Sequence, residues 1–305
     1  MQRQTRARRP RSDGHDSRPW TVPTVRDRRG LQHPPTTTHP CVPRLQRRGE
    51  SAETETEDRV KPYYQDDSVT LYLGDCLEVM AEMGNRSVDV VITDPPFDAR
   101  THSMARSNRN GYGTSGGGNR VLAGKADTAF AAWDHPTQLA FFAALGRITR
   151  RWVIANLATD TAFRFELDPP DGLKMLRVGA WVKTNPMPII SADRPAMGWE
   201  PIAYMHRADV KPAWNGGGRA ANYVLPTSQG SGHATQKPID MVRDWVRKFS
   251  DRGDTVFDPC MGTGTTIRAA VDEGRRVVGI EVDERWCEYT ARRLDQMTLD
   301  FGDAS

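Results

Sequence analysis

From Val60 onward, apolar and polar positions along the chain switch repeatedly between two periods. Short runs rich in Val, Ile and aromatic residues read as strands over 69–73, 88–93, 152–156, 177–183, 202–206, 256–258 and 276–280. Stretches with apolar residues every three or four positions read as helices over 77–83, 137–148, 160–167, 238–249, 267–273 and 283–294. Strand and helix in alternation predict an α/β fold, with a doubly wound sheet covered by helices on both faces. At 305 residues the chain is long enough for one large domain of this kind plus flanking segments.

Three segments break the pattern. Residues 1–59 carry seven prolines and almost no apolar periodicity, and predict a disordered basic Pro/Arg-rich tail. That composition suits either an arm resting on phosphates or a dispensable segment, and the lack of interleaved aromatics favours the second. Residues 98–126 are rich in Gly, Asn, Ser and Arg; a loop of that length beside a strand end suits contact with a polyanion or plain solvation. Residues 298–305 read as a C-terminal tail, which leaves 60–297 as the folded domain.

Two turns carry candidate chemistry. The strand over 88–93 runs into Asp94, Pro95, Pro96 and Phe97. The prolines lack N–H groups, so this turn is rich in acceptors, with a carboxylate at its start and an aromatic ring at its end. It reads equally as a rigid strand-to-loop turn. Downstream, the strand ending at Asp258 meets a glycine turn containing Gly262, Thr263 and Gly264, then a helix, then a second strand ending at Glu281. Glycines at a helix N-terminus permit close approach of a ligand, and an acid about 20 residues on is where doubly wound folds hold ribose hydroxyls.

In that order, DPPF followed by DPCMGTGTT, with the segment HATQKP at 233–238 just before the second, the chain resembles the beta class of S-adenosylmethionine-dependent DNA amino-methyltransferases. Weaker matches are Gly74 and Asp75, WVKTN at 181–185 and WEPIAY at 199–204. The resemblance implies a Rossmann-like methyltransferase sheet with circularly permuted motif order. It also implies methyl transfer from S-adenosylmethionine to the exocyclic N6 of an adenine flipped out of double-stranded DNA, with cytosine N4 as the alternative. An RNA or protein amino-methyltransferase and an inactive DNA-binding relative are more distant readings. Under the resemblance Asp94, Pro95, Pro96 and Phe97 form the catalytic turn. Asp75, Lys237, Asp258, Gly262, Thr263, Gly264 and Glu281 bind the cofactor, Lys237 as a cation for its methionine carboxylate. A helix-capping role for Asp75 and Asp258 and pairing of Glu281 with Arg285 are the plain alternatives. The family admits a cognate restriction endonuclease and a second copy of the chain as further partners.

Charge adds one constraint. The first 59 residues hold 13 arginines, no lysines and 8 acids, a net +5, whereas the remainder holds 29 bases and 31 acids, a net −2. Affinity of the folded domain for nucleic acid must therefore come from a local patch. Cys41, Cys76, Cys260 and Cys287 form no metal-ligand spacing, which predicts a reduced, cytoplasmic protein without structural zinc. No apolar stretch reaches the length of a membrane span, so no membrane partner is expected.

Overall fold

A computed structural model describes residues 60–97, 133–186, 188, 194–227 and 236–302, with side chains described as far as residue 296. The expected basic tail over 1–59, the Gly/Arg loop over 98–126 and residues 303–305 lie outside the described residues.

The strands are β1 (Tyr64–Gln65), β2 (Val69–Leu73), β3 (Val88–Thr93), β4 (Thr149–Asn156), β5 (Leu173–Lys183), β6 (Trp199–Arg207), β7 (Asn222–Leu225), β8 (Thr255–Asp258) and β9 (Arg276–Glu281). They form one sheet in the order β1-β2-β9-β8-β3-β4-β6-β5-β7. From β2 to β4 the neighbours pair parallel, whereas β6 runs antiparallel to both β4 and β5. The helices are α1 (Cys76–Glu82), α2 (His135–Ile148), α3 (Thr159–Leu167), α4 (Ile239–Phe249), α5 (Thr265–Asp272) and α6 (Glu284–Gly302).

Strand alternation divides the core into two layers. Along β4, Trp152 and Ile154 join the cluster under α4, α5 and α6, while Val153 and Ala155 join that under α1, α2 and α3. Helix α4 shows why the periodic pattern is decisive: Met241, Val242, Trp245, Val246 and Phe249 fall on one face and are all buried. Burial of each such side chain contributes about 1.5–3 kcal/mol.

Most elements lie within a few residues of expectation, and the exceptions have physical causes. Strands β1 and β7 add to the expected set: β1 has two residues and β7 is a four-residue edge strand, and each sends only partly buried side chains, Tyr64, Tyr223 and Leu225, against the core, too short a pattern to read from the sequence. Strand β5 starts at Leu173 rather than 177, and α6 continues to Gly302 rather than stopping near 294.

The topology fixes where a ligand can sit. From β8 the chain crosses to β9 on one side, and from β3 it crosses to β4 on the other. The crevice between the carboxyl ends of β8 and β3 is thus the switch point at which open α/β sheets bind ligands. Asp258 ends β8, and Asp94 follows the last residue of β3.

Candidate active site

Strand β3 stops where Pro95 and Pro96 remove the donors that parallel pairing needs, and this leaves Asp94 at the sheet edge. Pro95 is buried; Pro96 and Phe97 are half-buried. The Asp94 carboxylate is split between two environments. Its Oδ2 accepts a hydrogen bond from Lys237 Nζ at 2.6 Å, while its Oδ1 is buried with no hydrogen-bond partner among the described residues.

Lys237 immediately precedes Pro238, the cap of α4, and is only 8% exposed. The sequence resemblance makes it a cation for the cofactor's carboxylate, but its ammonium instead lies between Asp94 and Glu200, with Glu200 Oε2 at 3.5 Å. Glu200 Oε1 in turn accepts from Lys183 Nζ at 2.6 Å. Burial alone would depress Lys237, but the two carboxylates push it up to about 12. Burial alone would raise Glu200, but Lys237 and Lys183 hold it below the ordinary range. The amino-acid sequence assigns no role to Glu200 or Lys183; their only signal is their presence in WEPIAY and WVKTN, and the partnership is visible only once β5 and β6 pair.

Across the switch point, Gly262 and Gly264 take positive φ values of 50° and 74°, which turn the chain from β8 into α5. A Cβ built on Gly262 would meet nothing within 4 Å, so the turn has an open side. Thr263 is buried beneath it. Glu281 ties this turn to the end of β9: Oε2 accepts from Gly262 N at 2.9 Å, and Oε1 accepts from Val282 N and Asp283 N, both at 2.9 Å. Arg285, the alternative partner for Glu281, pairs with Asp283 instead. Asp75 caps α1, accepting from Leu77 N at 2.7 Å and Glu78 N at 3.3 Å, and is exposed.

Asp258 is 3% exposed and accepts from Cys260 N at 3.1 Å. Burial, with a smaller contribution from Asp94, raises its pKa from 3.8 to about 7 against the opposing effect of Thr266 and the Cys260 amide. Between these two pH values the folded protein holds a proton that the unfolded chain has released, so stability falls as pH rises through the window and stays lower above it. Asp258→Asn is therefore expected to raise stability at pH 8 by on the order of 1–4 kcal/mol, with little gain at pH 4. Thermal melting at the two pH values checks this, and an unchanged melting temperature at pH 8 contradicts it.

These residues fit the cofactor that the sequence resemblance implies. S-adenosylmethionine carries a sulfonium and an ammonium, and the carboxyl groups of Asp258, Glu281 and Asp94 stand at the carboxyl ends of β8, β9 and β3. Glu281, with three of its roughly four acceptor positions used, keeps one that a hydroxyl donor could fill. The open side of Gly262 gives the space that close approach needs.

Comparison with known proteins agrees. The N6/N4 methyltransferase family model, described as a DNA methylase, matches residues 209–292, which include Lys237, Asp258, the glycine turn and Glu281. The Type II methyltransferase M2.DpnII of Streptococcus pneumoniae is 24% identical over 271 residues, covering 77% of this chain and 92% of that protein. The Type II methyltransferase M2.LlaDCHI of Lactococcus lactis subsp. cremoris is 23% identical over 272 residues, covering 77% and 93%. Among solved structures, the cytosine-N4-specific PvuII DNA methyltransferase superposes with a TM-score of 0.57 at 15% identity, covering 76% of this chain and 88% of that one. The M1.HpyAVI–SAM complex gives 0.55 at 18% identity, covering 74% and 99%. Such low structural identities speak for the Rossmann-like methyltransferase fold. Taken with the ordered motifs and the family match over 209–292, they make the chain similar to the S-adenosylmethionine-dependent amino-methyltransferases.

Proposed function

We propose that this protein is a site-specific DNA methyltransferase that moves the methyl group of S-adenosylmethionine to the exocyclic N6 of an adenine flipped out of double-stranded DNA. The observation that carries this reading is the buried Asp94 Oδ1, an acceptor without a partner among the described residues, at the switch point beside the glycine turn. An exocyclic amine is a poor nucleophile while its lone pair is delocalised into the ring. Asp94 Oδ1 and the Pro95 carbonyl each accept one of its hydrogens, which lets the nitrogen turn tetrahedral and frees the pair. When bound, the cofactor supplies a methyl on a positively charged sulfur, a good leaving group as a thioether. The nitrogen–methyl bond forms as the sulfur–methyl bond breaks, the electron pair stays on sulfur, and the Asp94 carboxylate faces the positive charge that develops on nitrogen. The surplus proton leaves the methylated nitrogen afterwards, so no strong base is needed.

A base in a duplex cannot reach this site, so it must be extruded at a cost of a few kcal/mol. Phe97 is the ring available to stack on it, worth about 1–3 kcal/mol. Asp258, Gly262, Thr263, Gly264 and Glu281 hold the cofactor, with Asp75 at the neighbouring strand end. An aspartate at the first catalytic position favours adenine over cytosine. The Type II names of the relatives support a restriction-modification setting.

Transfer of a labelled methyl group to duplex DNA, RNA and protein tests the reading, followed by nucleoside analysis of the product. N6-methyladenine in DNA is the expected result. Label in N4-methylcytosine would change the base, and label only in RNA or protein would overturn the function.

A further inference from the structure

Resting on the reading of Asp94 as the amine acceptor, we propose that Lys237 and Glu200, anchored by Lys183, are positioning residues that act on the target amine through Asp94, and that Lys237 is not a ligand of the cofactor. Four charges alternate in sign along the sheet edge, from Lys183 to Glu200 at 2.6 Å, to Lys237 at 3.5 Å, to Asp94 at 2.6 Å. Lys183 and Glu200 come from the paired ends of β5 and β6, and Lys237 comes from the entry to α4, so three separate elements converge on the carboxylate. A buried ammonium requires charged partners, and Lys237 already has two.

Each member has a distinct consequence for the amine. By occupying Oδ2, Lys237 fixes the rotation of the Asp94 carboxylate and leaves Oδ1 as the acceptor presented to a ligand. Alone, that ammonium would also oppose positive charge on a nitrogen bound to Oδ1. Glu200, on the far side of Lys237, offsets this field. Lys183 keeps Glu200 from being a buried anion paired on one side only. Among the described residues, Asp258 at the end of β8 is a further carboxyl group that interacts with Asp94.

The charges acting on Asp94 predict opposite pH responses. Burial raises the Asp94 pKa, Lys237 opposes that rise and Glu200 adds to it. Activity requires ionised Asp94, so it fails as pH falls through this value. In Glu200→Gln the acidic limb of the pH–rate profile should move to lower pH, and in Lys237→Met to higher pH. Single-turnover rates at the pH optimum should fall by about 10–100-fold in each, as expected when a reacting group is mispositioned. Cofactor dissociation constants from calorimetry should stay within about twofold of the wild type, a difference of less than 0.5 kcal/mol. Because Lys237→Met strips Asp94 of its ion-pair partner, leaves two carboxylates with Lys183 as the one cation of the chain of charges, and is at risk of misfolding, the double variant Lys237→Met/Glu200→Gln provides a charge-balanced check, with the same loss of rate and unchanged cofactor affinity.

Unmoved acidic limbs in active, folded variants would overturn the proposal. So would a selective loss of cofactor affinity in Lys237→Met and the double variant. Wild-type protein that transfers no methyl group to DNA in the same assay would instead remove the underlying function, and the proposal with it.

Discussion

Asp94→Ala is expected to lower the single-turnover rate of methyl transfer by about 10²–10³-fold, the usual cost of removing one preorganised group that faces developing charge. The carboxyls proposed to hold the cofactor lie on the other side of the switch point, on β8 and β9, so the cofactor dissociation constant should change little. Asparagine is the more informative replacement. Lys237 presents an ammonium at 2.6 Å from Oδ2, and only an oxygen can accept from it. The amide oxygen must therefore turn toward Lys237, which puts the NH₂ group where Oδ1 was, donor against donor with the target amine. Asp94→Asn should be no more active than Asp94→Ala despite its near-identical shape. Labelled-methyl single-turnover kinetics and calorimetry on both variants check the pair. An asparagine variant retaining a tenth or more of wild-type rate would show that the carboxylate is not held in this orientation.

How far this site is legible in the amino-acid sequence depends on whether its parts are local. The DPPF and DPCMGTG turns are contiguous and bounded by strongly apolar strands, so the residues themselves disclose both the elements and their order. The positive φ of Gly262 and Gly264 likewise follows from a glycine turn that leads straight into a helix. Glu281 is recognisable because the fold fixes the strand-to-acid spacing, but its three backbone partners are not, since Gly262 is brought to it only by the pairing of β8 with β9. Lys237 shows the limit most clearly. It lies 143 residues from Asp94 along the chain, and nothing in the HATQKP segment distinguishes an ammonium aimed at a cofactor from one aimed at a carboxylate. Glu200 and Lys183 are hidden for the same reason: charged residues at strand ends are ordinary, and their meaning comes from the antiparallel register of β5 and β6. Asn156 belongs with them. It ends β4 next to the Asp94 strand and is 1% exposed with neither amide atom partnered among the described residues, a cost that periodicity cannot reveal.

Glu281→Ala should damage both the fold and the cofactor site, because under the proposed function one carboxylate serves both. In the folded protein it accepts from Gly262 N, Val282 N and Asp283 N, and it is itself only 5% exposed. Truncation leaves three donors with no acceptor. Each unsatisfied buried group costs about 1–3 kcal/mol, less where water enters the space vacated. A net loss of about 2–4 kcal/mol is therefore expected, read from chemical denaturation. Cofactor affinity should fall by at least about tenfold, since a hydrogen bond to a charged acceptor is lost and the glycine turn is no longer tied to β9. Glu281→Gln separates the two effects. Its single oxygen can serve either Gly262 N or the Val282 and Asp283 pair, and its NH₂ must face the donors on the other side. Stability should thus fall less than in the alanine variant, while cofactor binding still weakens because the amide carries no negative charge to attract a cationic ligand or to strengthen the hydrogen bond it accepts. If glutamine kept wild-type affinity, Glu281 would be a structural staple of the turn alone, and the ribose contact would have to come from another residue at the carboxyl end of the sheet.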